Sequence, residues 1–245
     1  MSIGALGDSF YEYLLKEYIQ SGGTDTTALR MYEEAIDGVT STLLQTSVQH
    51  NLMYFADMKY DRLEHKMDHL ACFSGGLLGL GSQFLTNKPE KQARHMEIAA
   101  GITNTCHESY IRTQTRIGPE SFRFTDAVEA KASRPNEKYY ILRPEVIESY
   151  FVMWRLTKDQ KYRDWAWDAV QAIEKHCRVE HGYTGLKNVY DENGVKDDVQ
   201  QSFLFAELLK YLYLIFSNDD LIPLDQWVFN TEAHPLPVRG KNPAF

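Results

Sequence analysis

The chain lacks most of the features that mark membrane, zinc-binding and nucleic-acid-binding proteins. No apolar run in its 245 residues is long enough to cross a bilayer, and no signal peptide opens it at Met1. Its three cysteines show neither a CxxC motif nor a Cys/His metal spacing. With 34 acidic and 26 basic residues the net charge is −8, which disfavours contact with a phosphate backbone, so we expect no nucleic-acid partner.

The cysteines leave the cellular compartment open. In the cytosol, Cys72, Cys106 and Cys177 would be free thiols, whereas an oxidising compartment would allow one disulfide and one leftover thiol. The second alternative requires a targeting segment that this sequence does not contain. There is no Asn-x-Ser/Thr glycosylation acceptor. Aromatic residues are plentiful, and filling the core is their simplest use.

Amphipathic helices dominate the rest of the sequence. Apolar residues at helical spacing predict helices over residues 8–20, 27–45, 89–116, 143–156, 162–176 and 197–216. The apolar, glycine-rich segment 68–80 should be buried, 120–140 should form short strands and loops, 181–193 is rich in turns, and 227–229 is typical of a short strand. Paired helices with short connections predict an all-α fold of stacked helical hairpins, and the absence of a fixed-period repeat disfavours a solenoid. About seven long helices are too few to close a ring of seven hairpins.

Several carboxylates share helix faces with large apolar residues. Each one alone is most simply a first-turn acid favoured by the helix dipole, or part of a solvated face. Together they indicate more, because buried acids are costly unless they are paired or bind a metal. Glycosidases need two working carboxyls, and calcium prefers oxygen ligands. The residues are Asp8 with Glu12, Glu145 with Glu148 beside Arg143, Glu207 four residues after Phe203, and Glu232 beside Thr231. His69, in an apolar segment, is most simply a core histidine.

Five motifs resemble glycoside hydrolase family 47, the class I alpha-mannosidases. They are GDSFYEYLLK at 7–16, HKMDHLACF at 65–73, YYILRPE at 139–145, QSFLFAE at 201–207 and FNTEAHP at 229–235. They occur in the family's order and cover nearly the whole chain. The Leu6-Gly7 pair and the block at 200–203 resemble the Golgi mannosidase I subgroup most closely.

This resemblance implies a barrel of seven helical hairpins with the active site at one end. Residues 1–245 would form the C-terminal portion of a single catalytic domain, a partial (α/α)7 barrel with short β-hairpins in its loops. The family's further catalytic glutamate and its membrane anchor belong to segments that would precede Gly4. We therefore expect this chain to be inactive alone, to expose apolar helix faces, and to contact a membrane only through that missing anchor. The full-length protein would reside in the Golgi or endoplasmic reticulum lumen.

The resemblance also implies an activity and a set of residue roles. The activity is inverting, calcium-dependent hydrolysis of terminal alpha-1,2-linked mannose in high-mannose N-glycans on glycoproteins. Glu145 would be the general base and Asp8 a second catalytic acid, although which of the two activates water stays open. The terminal mannose would be bound by His69, Arg143, Glu148 and Glu207, with Phe203 stacked on its face. Thr231 would bind calcium directly, and Glu145, Glu148, Glu207 and Glu232 would hold calcium-bound waters. Cys72 and Cys106 match the family's disulfide, which leaves Cys177 free.

Two other functions fit the same sequence. A mannosidase-like glycan-binding protein of glycoprotein quality control would share the fold, bind glycans and release no mannose. A non-enzymatic helical scaffold would have no use for a set of inward-facing acids and would not be stabilised by calcium. Retention of Asp8, Glu145 and Thr231 favours the enzyme.

Overall fold

The computed structural model describes residues 1–4 and 7–243, so Leu6 of the subgroup motif lies outside the described residues. Within this part of the chain, seven α-helices account for most of the regular structure. They are α1 (Asp8–Gln20), α2 (Thr26–Leu43), α3 (Phe73–Ser82), α4 (Pro89–Ile111), α5 (Glu145–Thr157), α6 (Lys161–Cys177) and α7 (Leu209–Phe216). Consecutive helices pack as pairs, α1 with α2, α3 with α4, and α5 with α6. This confirms a mainly helical fold built from helical hairpins.

Short antiparallel strands connect the helices. The strands are β1 (Leu44–Thr46), β2 (Met53–Phe55), β3 (Asp57–Lys59), β4 (Arg62–Glu64), β5 (Lys66–Asp68), β6 (Ser121–Phe124), β7 (Glu129–Lys131), β8 (Arg178–Val179), β9 (Gly182–Tyr183), β10 (Trp227–Phe229) and β11 (Pro235–Pro237). β5, β6 and β7 form a three-stranded sheet in that order, and the others pair as β1–β2, β3–β4, β8–β9 and β10–β11. The β10–β11 hairpin returns the chain to α1.

Helix α3 lies in the centre of the packing, between α4 and α5, and all ten of its residues are buried. Its glycines allow this close approach. A Cβ built on Gly75 would lie 2.4 Å from Oγ1 of Thr103 on α4, so a side chain there would push the two helices apart. The segment predicted to be buried from its apolar, glycine-rich sequence is therefore the middle of the core.

A disulfide joins Cys72, just before α3, to Cys106 on α4. The bridge closes a 34-residue separation and fixes the α3–α4 hairpin. Cys177 is free and buried. This is the pairing that the family resemblance implied, and it favours the oxidising compartment over the cytosol.

Most helix boundaries lie within a few residues of the sequence-based expectation, but the helix predicted over 197–216 is wrong in its first third. A π-helical turn (Leu204–Leu208) begins the helical part, and α7 follows it. The preceding residues bond to the β8–β9 hairpin instead. Asp197 Oδ1 accepts from the Thr184 hydroxyl at 2.7 Å, and Gln200 Oε1 accepts from the Tyr183 N–H at 2.9 Å. Asp198 also has a positive φ of 60°, which a right-handed helix excludes.

Several large aromatic side chains stand exposed on the described helices. They are Phe10 and Tyr13 on α1, Trp167 on α6, Phe205 on the π-helical turn, and Tyr213 and Phe216 on α7. Exposed apolar side chains that stand singly are common on protein surfaces, so the expected open apolar helix faces stay a prediction. Among the described residues, no helix is both long and apolar enough to cross a membrane.

Candidate active site

The carboxylates that the sequence predicted to be functional line one cavity of about 210 Å³. Eight of the nine residues predicted to act in catalysis, sugar binding or calcium binding line it, and Glu12 lines it with them. The eight are Asp8, Arg143, Glu145, Glu148, Phe203, Glu207, Thr231 and Glu232. The ninth, His69, is fully buried behind the cavity wall. Residues from four separate parts of the chain therefore meet at one place.

Each group reaches the cavity from the end of an element. Helix α1 begins at Asp8, so that residue and Glu12, four positions later, point from the same helical face. The first turn of α5 presents Glu145 and Glu148, which are three residues apart. The π-helical turn carries Glu207, with Phe203 at its N-terminal boundary. Single π-turns of this kind occur frequently at functional sites.

The loop between β10 and β11 brings in Thr231 and Glu232. The Asn230 side chain holds this turn, since its Oδ1 accepts from the backbone N–H of Glu232 at 3.0 Å and of His234 at 2.8 Å. The Thr231 N–H faces the Tyr13 hydroxyl at 3.4 Å, which ties the loop to α1.

Arg143 is fixed by an acid that sequence reasoning missed. Its Nε and Nη2 donate to the two carboxylate oxygens of Glu120, at 2.6 and 2.7 Å. Its Nη1 lies 3.8 Å from Oε1 of Glu145. Burial lowers the pKa of Arg143, but the Glu120 hydrogen bond and the charges of Glu145 and Glu120 raise it overall. The guanidinium is therefore a permanent, oriented cation on the cavity wall.

Sequence reasoning also missed Lys16, the partner of the cavity residue Glu12. Lys16 forms a buried ion pair with Glu12, and its ammonium lies 5.0 Å from the ring centre of Phe73. Both charged side chains are almost completely buried. Asp8, Glu12 and Lys16 follow one another at a spacing of four residues, which places them on one helix face. This spacing could not predict the buried pair, because it is equally typical of a solvated helix face.

Burial, with a smaller contribution from neighbouring carboxylates, raises the pKa of several of these acids. Burial, aided by the charges of Glu145, Glu232 and Glu12, raises the pKa of Glu207 to about 8. Burial also raises the pKa of Glu148 well above its ordinary value, although the Tyr211 hydroxyl donates to its Oε1 at 2.7 Å. The pKa of Asp8 is raised mainly by burial, with a contribution from Glu12 and Glu145. Perturbed acids in one cavity are typical of a functional site.

The donor set fits a hard cation held partly through water. Carboxylate and hydroxyl oxygens are the ligands that calcium prefers, and several of them line this one cavity. In the described part of the chain, no three His, Cys, Asp or Glu side chains are arranged to bind a metal directly.

Comparisons with known proteins agree on one family. Residues 1–238 match the sequence profile of Glycosyl hydrolase family 47. Mannosyl-oligosaccharide alpha-1,2-mannosidase IA of Drosophila melanogaster is 63% identical over 242 residues, which cover 99% of this chain and 36% of that protein. Mannosyl-oligosaccharide 1,2-alpha-mannosidase IB of Homo sapiens is 55% identical over 237 residues, which cover 97% of this chain and 36% of that protein.

A solved structure shares the fold. The alpha-1,2-mannosidase from Trichoderma reesei superposes with a TM-score of 0.87 at 32% identity, over 97% of this chain and 53% of that chain. The chain thus spans little more than a third of the length of the curated relatives it matches. From the profile match, the identity and the shared fold, we conclude that this chain belongs to glycosyl hydrolase family 47.

Proposed function

We propose that this chain forms part of an inverting, calcium-dependent alpha-1,2-mannosidase that removes terminal mannose from high-mannose N-glycans. The observation that carries the proposal is the convergence of acids, an arginine, an aromatic ring and Thr231 on one cavity of about 210 Å³. The names of the relatives, which are mannosyl-oligosaccharide mannosidases, support the substrate class. The disulfide between Cys72 and Cys106 supports a lumenal compartment, the Golgi or endoplasmic reticulum.

In this proposal the acids divide the work of hydrolysis. Glu145 accepts a proton from the attacking water, and Asp8, whose pKa is raised, is the second catalytic acid of the site. Arg143 and Glu207 bind sugar hydroxyls, and Phe203 stacks on the ring. When bound at Thr231, calcium would hold sugar hydroxyls and orient the ring. Attack by water on the face opposite the leaving group inverts the anomeric centre.

Release of mannose from a glycan with alpha-1,2-linked termini tests the activity. A form extended to the length of the relatives should release mannose whose first-formed anomer is beta. Glu145→Gln and Asp8→Asn should each lower the rate by about 10²–10⁴-fold, since each removes a group that transfers a proton. A first-formed alpha anomer would contradict inversion.

Residues 1–245 alone should release no mannose, because they span little more than a third of the length of the relatives. Clear turnover by residues 1–245 would overturn this part of the proposal. If the extended form binds the glycan but releases nothing, the glycan-binding alternative replaces the enzyme.

A further inference from the structure

The turn between β10 and β11 leaves two oxygen atoms of Thr231 without a protein partner. Among the described residues, neither the Thr231 hydroxyl nor its backbone oxygen takes part in a hydrogen bond. Neighbouring groups of the turn bond to one another, since the Ala233 N–H donates to the backbone oxygen of Asn230 at 3.0 Å, and the Asn230 N–H donates to that of His234 at 2.9 Å. Because Thr231 lines the cavity of the acids, its two oxygens are available to a ligand there.

The backbone of this turn has a conformation that needs support. Ala233 is fully buried and has a φ of 57°, in the left-handed region that a residue with a Cβ rarely adopts. Such a conformation persists where surrounding contacts hold it. Asn230 supplies two of these contacts, because its Oδ1 accepts from the N–H groups of Glu232 and His234. Both bonds lie within the turn, so they do not fix its place against the rest of the protein.

Lys210, on α7, supplies a contact from outside the turn. Its Nζ donates to the backbone oxygen of Ala233 at 2.7 Å, across 23 residues of sequence. Helix α7 directly continues the π-helical turn that carries Glu207. The Lys210 bond therefore ties the turn of Thr231 to the same helical segment that places Glu207 in the cavity.

The other contacts of the hairpin hold its base more firmly than its tip. At the end of β10, the ring centre of Phe229 lies 5.7 Å from that of Tyr211, the neighbour of Lys210 on α7. At the tip, the Thr231 N–H lies 3.4 Å from the Tyr13 hydroxyl, which is long for a hydrogen bond. The Lys210 bond is shorter and has a charged donor, and such bonds are the stronger ones.

We infer that Lys210 is a positioning residue, whose bond to Ala233 holds Thr231 at the cavity with its hydroxyl and backbone oxygen left for a ligand. Asn230 assists by closing the turn itself. The consequence for cation binding rests on the proposed function. The hold on the turn does not rest on it and can be measured without calcium.

Amide hydrogen exchange in segment 231–234, followed by NMR in residues 1–245 without calcium, tests the hold on the turn. Lys210→Met keeps the apolar stem and removes the donor. Exchange in the turn should then be about tenfold faster, the loss expected for one hydrogen bond to a charged group. Asn230→Ala, which removes the acceptor of two amides of the turn, is a second variant with an expected change in the same direction.

Lys196→Met is the matched control, because the Lys196 ammonium also donates to a backbone oxygen, that of Arg178, outside this hairpin. It should leave exchange in segment 231–234 as in the wild type. Unchanged exchange there in a folded Lys210→Met protein would overturn the inference.

The calcium dependence of the thermal midpoint separates positioning from a simple effect of charge. Loss of a positive charge at position 210 would by itself tighten the binding of a cation, whereas a displaced Thr231 would weaken it. We expect the apparent dissociation constant for calcium to rise about tenfold or more in Lys210→Met, as for other residues that orient a metal ligand, and to stay unchanged in Lys196→Met.

An equal or tighter constant in Lys210→Met would overturn the inference and leave the proposed function standing. If the wild-type midpoint does not respond to calcium while Lys210→Met still speeds exchange in the turn, the cation of the proposed function is wrong and the hold of Lys210 on the turn stands.

Discussion

Arg143 and Glu120 form a bidentate ion pair, and a lysine at position 143 could not make both of its hydrogen bonds. Arg143→Lys keeps the charge but loses one of the two parallel hydrogen bonds to Glu120, and the second carboxylate oxygen is left partly unpaired. We expect the free energy of unfolding to fall by about 1–3 kcal/mol in urea denaturation.

Arg30→Lys is the matched control for this substitution. Arg30 also contacts both oxygens of a carboxylate, Glu34, but the pair is exposed, at 59% and 64% of the two side chains. Its replacement should change stability by less than about 0.5 kcal/mol. Equal effects at the two sites would show that burial beside the cavity adds nothing to the Arg143 pair.

Glu207 makes the protein's stability depend on pH in a direction opposite to that of an ordinary surface acid. Its pKa rises from 4.5 to about 8 on folding, so the folded state holds its proton more tightly than the unfolded state. Stability is therefore lost as pH rises from about 4.5 to about 8. Without divalent cations, Glu207→Gln should match the wild type near pH 4.5 and exceed it by about 1–3 kcal/mol at pH 8.

The control for this pH series is Glu97→Gln, an exposed acid of α4, which should leave the stability of the chain nearly unchanged at both pH values. A lower stability of Glu207→Gln than of the wild type at pH 8 would contradict this expectation, because it would mean that neighbouring groups stabilise the ionised Glu207 carboxylate.

How far the sequence predicted the site depends on the residue. Family motifs named eight of the residues that line the cavity, because those motifs stand in the family's order along the chain. Burial of His69 behind Glu145 depends on where strand β5 and helix α4 lie, and no local pattern contains that information. Glu120 and Lys16 were missed for the same reason, since single charged residues in a loop or helix are most often solvated.

At the scale of elements, helix pairing depends on glycine at the crossing of α3 and α4. Gly75→Ala would place a methyl group 2.4 Å from the Thr103 hydroxyl oxygen and 3.2 Å from the backbone oxygen of Ala99. We expect a loss of about 1–3 kcal/mol in the free energy of unfolding, because a close-packed helix contact cannot absorb the extra volume.

Gly38→Ala on α2 is the control for this substitution, and we expect it to raise the free energy of unfolding. Gly38 has open space around its Cβ direction, so alanine should stabilise α2 by about 0.5–1 kcal/mol through helix propensity alone. A stabilising Gly75→Ala would contradict the packing described for α3.

Helix boundaries were predictable where apolar periodicity and terminal signals coincide. Gly22 and Gly23, which follow α1, adopt positive φ angles of 71° and 82°, a conformation that a right-handed helix excludes. Asp25 caps α2 by accepting from the Ala28 N–H. The segment 197–203 was not predictable, because its bonds to the β8–β9 hairpin come from residues brought together by tertiary structure.

Across the whole molecule, the described residues form three helix pairs and α7. The cavity lies where α1, the first turn of α5, the π-helical turn and the β10–β11 loop meet. That the arrangement is part of a seven-hairpin barrel stays a prediction, supported by the fold shared with the Trichoderma reesei enzyme. The proposed function requires that the acids surround a cation bound by Thr231.

The thermal midpoint of residues 1–245 in increasing calcium at pH 8, measured for the wild type and for Thr231→Val, tests that claim most directly. A cation bound by the native state alone stabilises it by about 2.7 kcal/mol at one hundred times its dissociation constant. The wild-type midpoint should therefore rise steadily with calcium, and that of Thr231→Val should not. No rise in the wild type, or an equal rise in both proteins, would contradict the account.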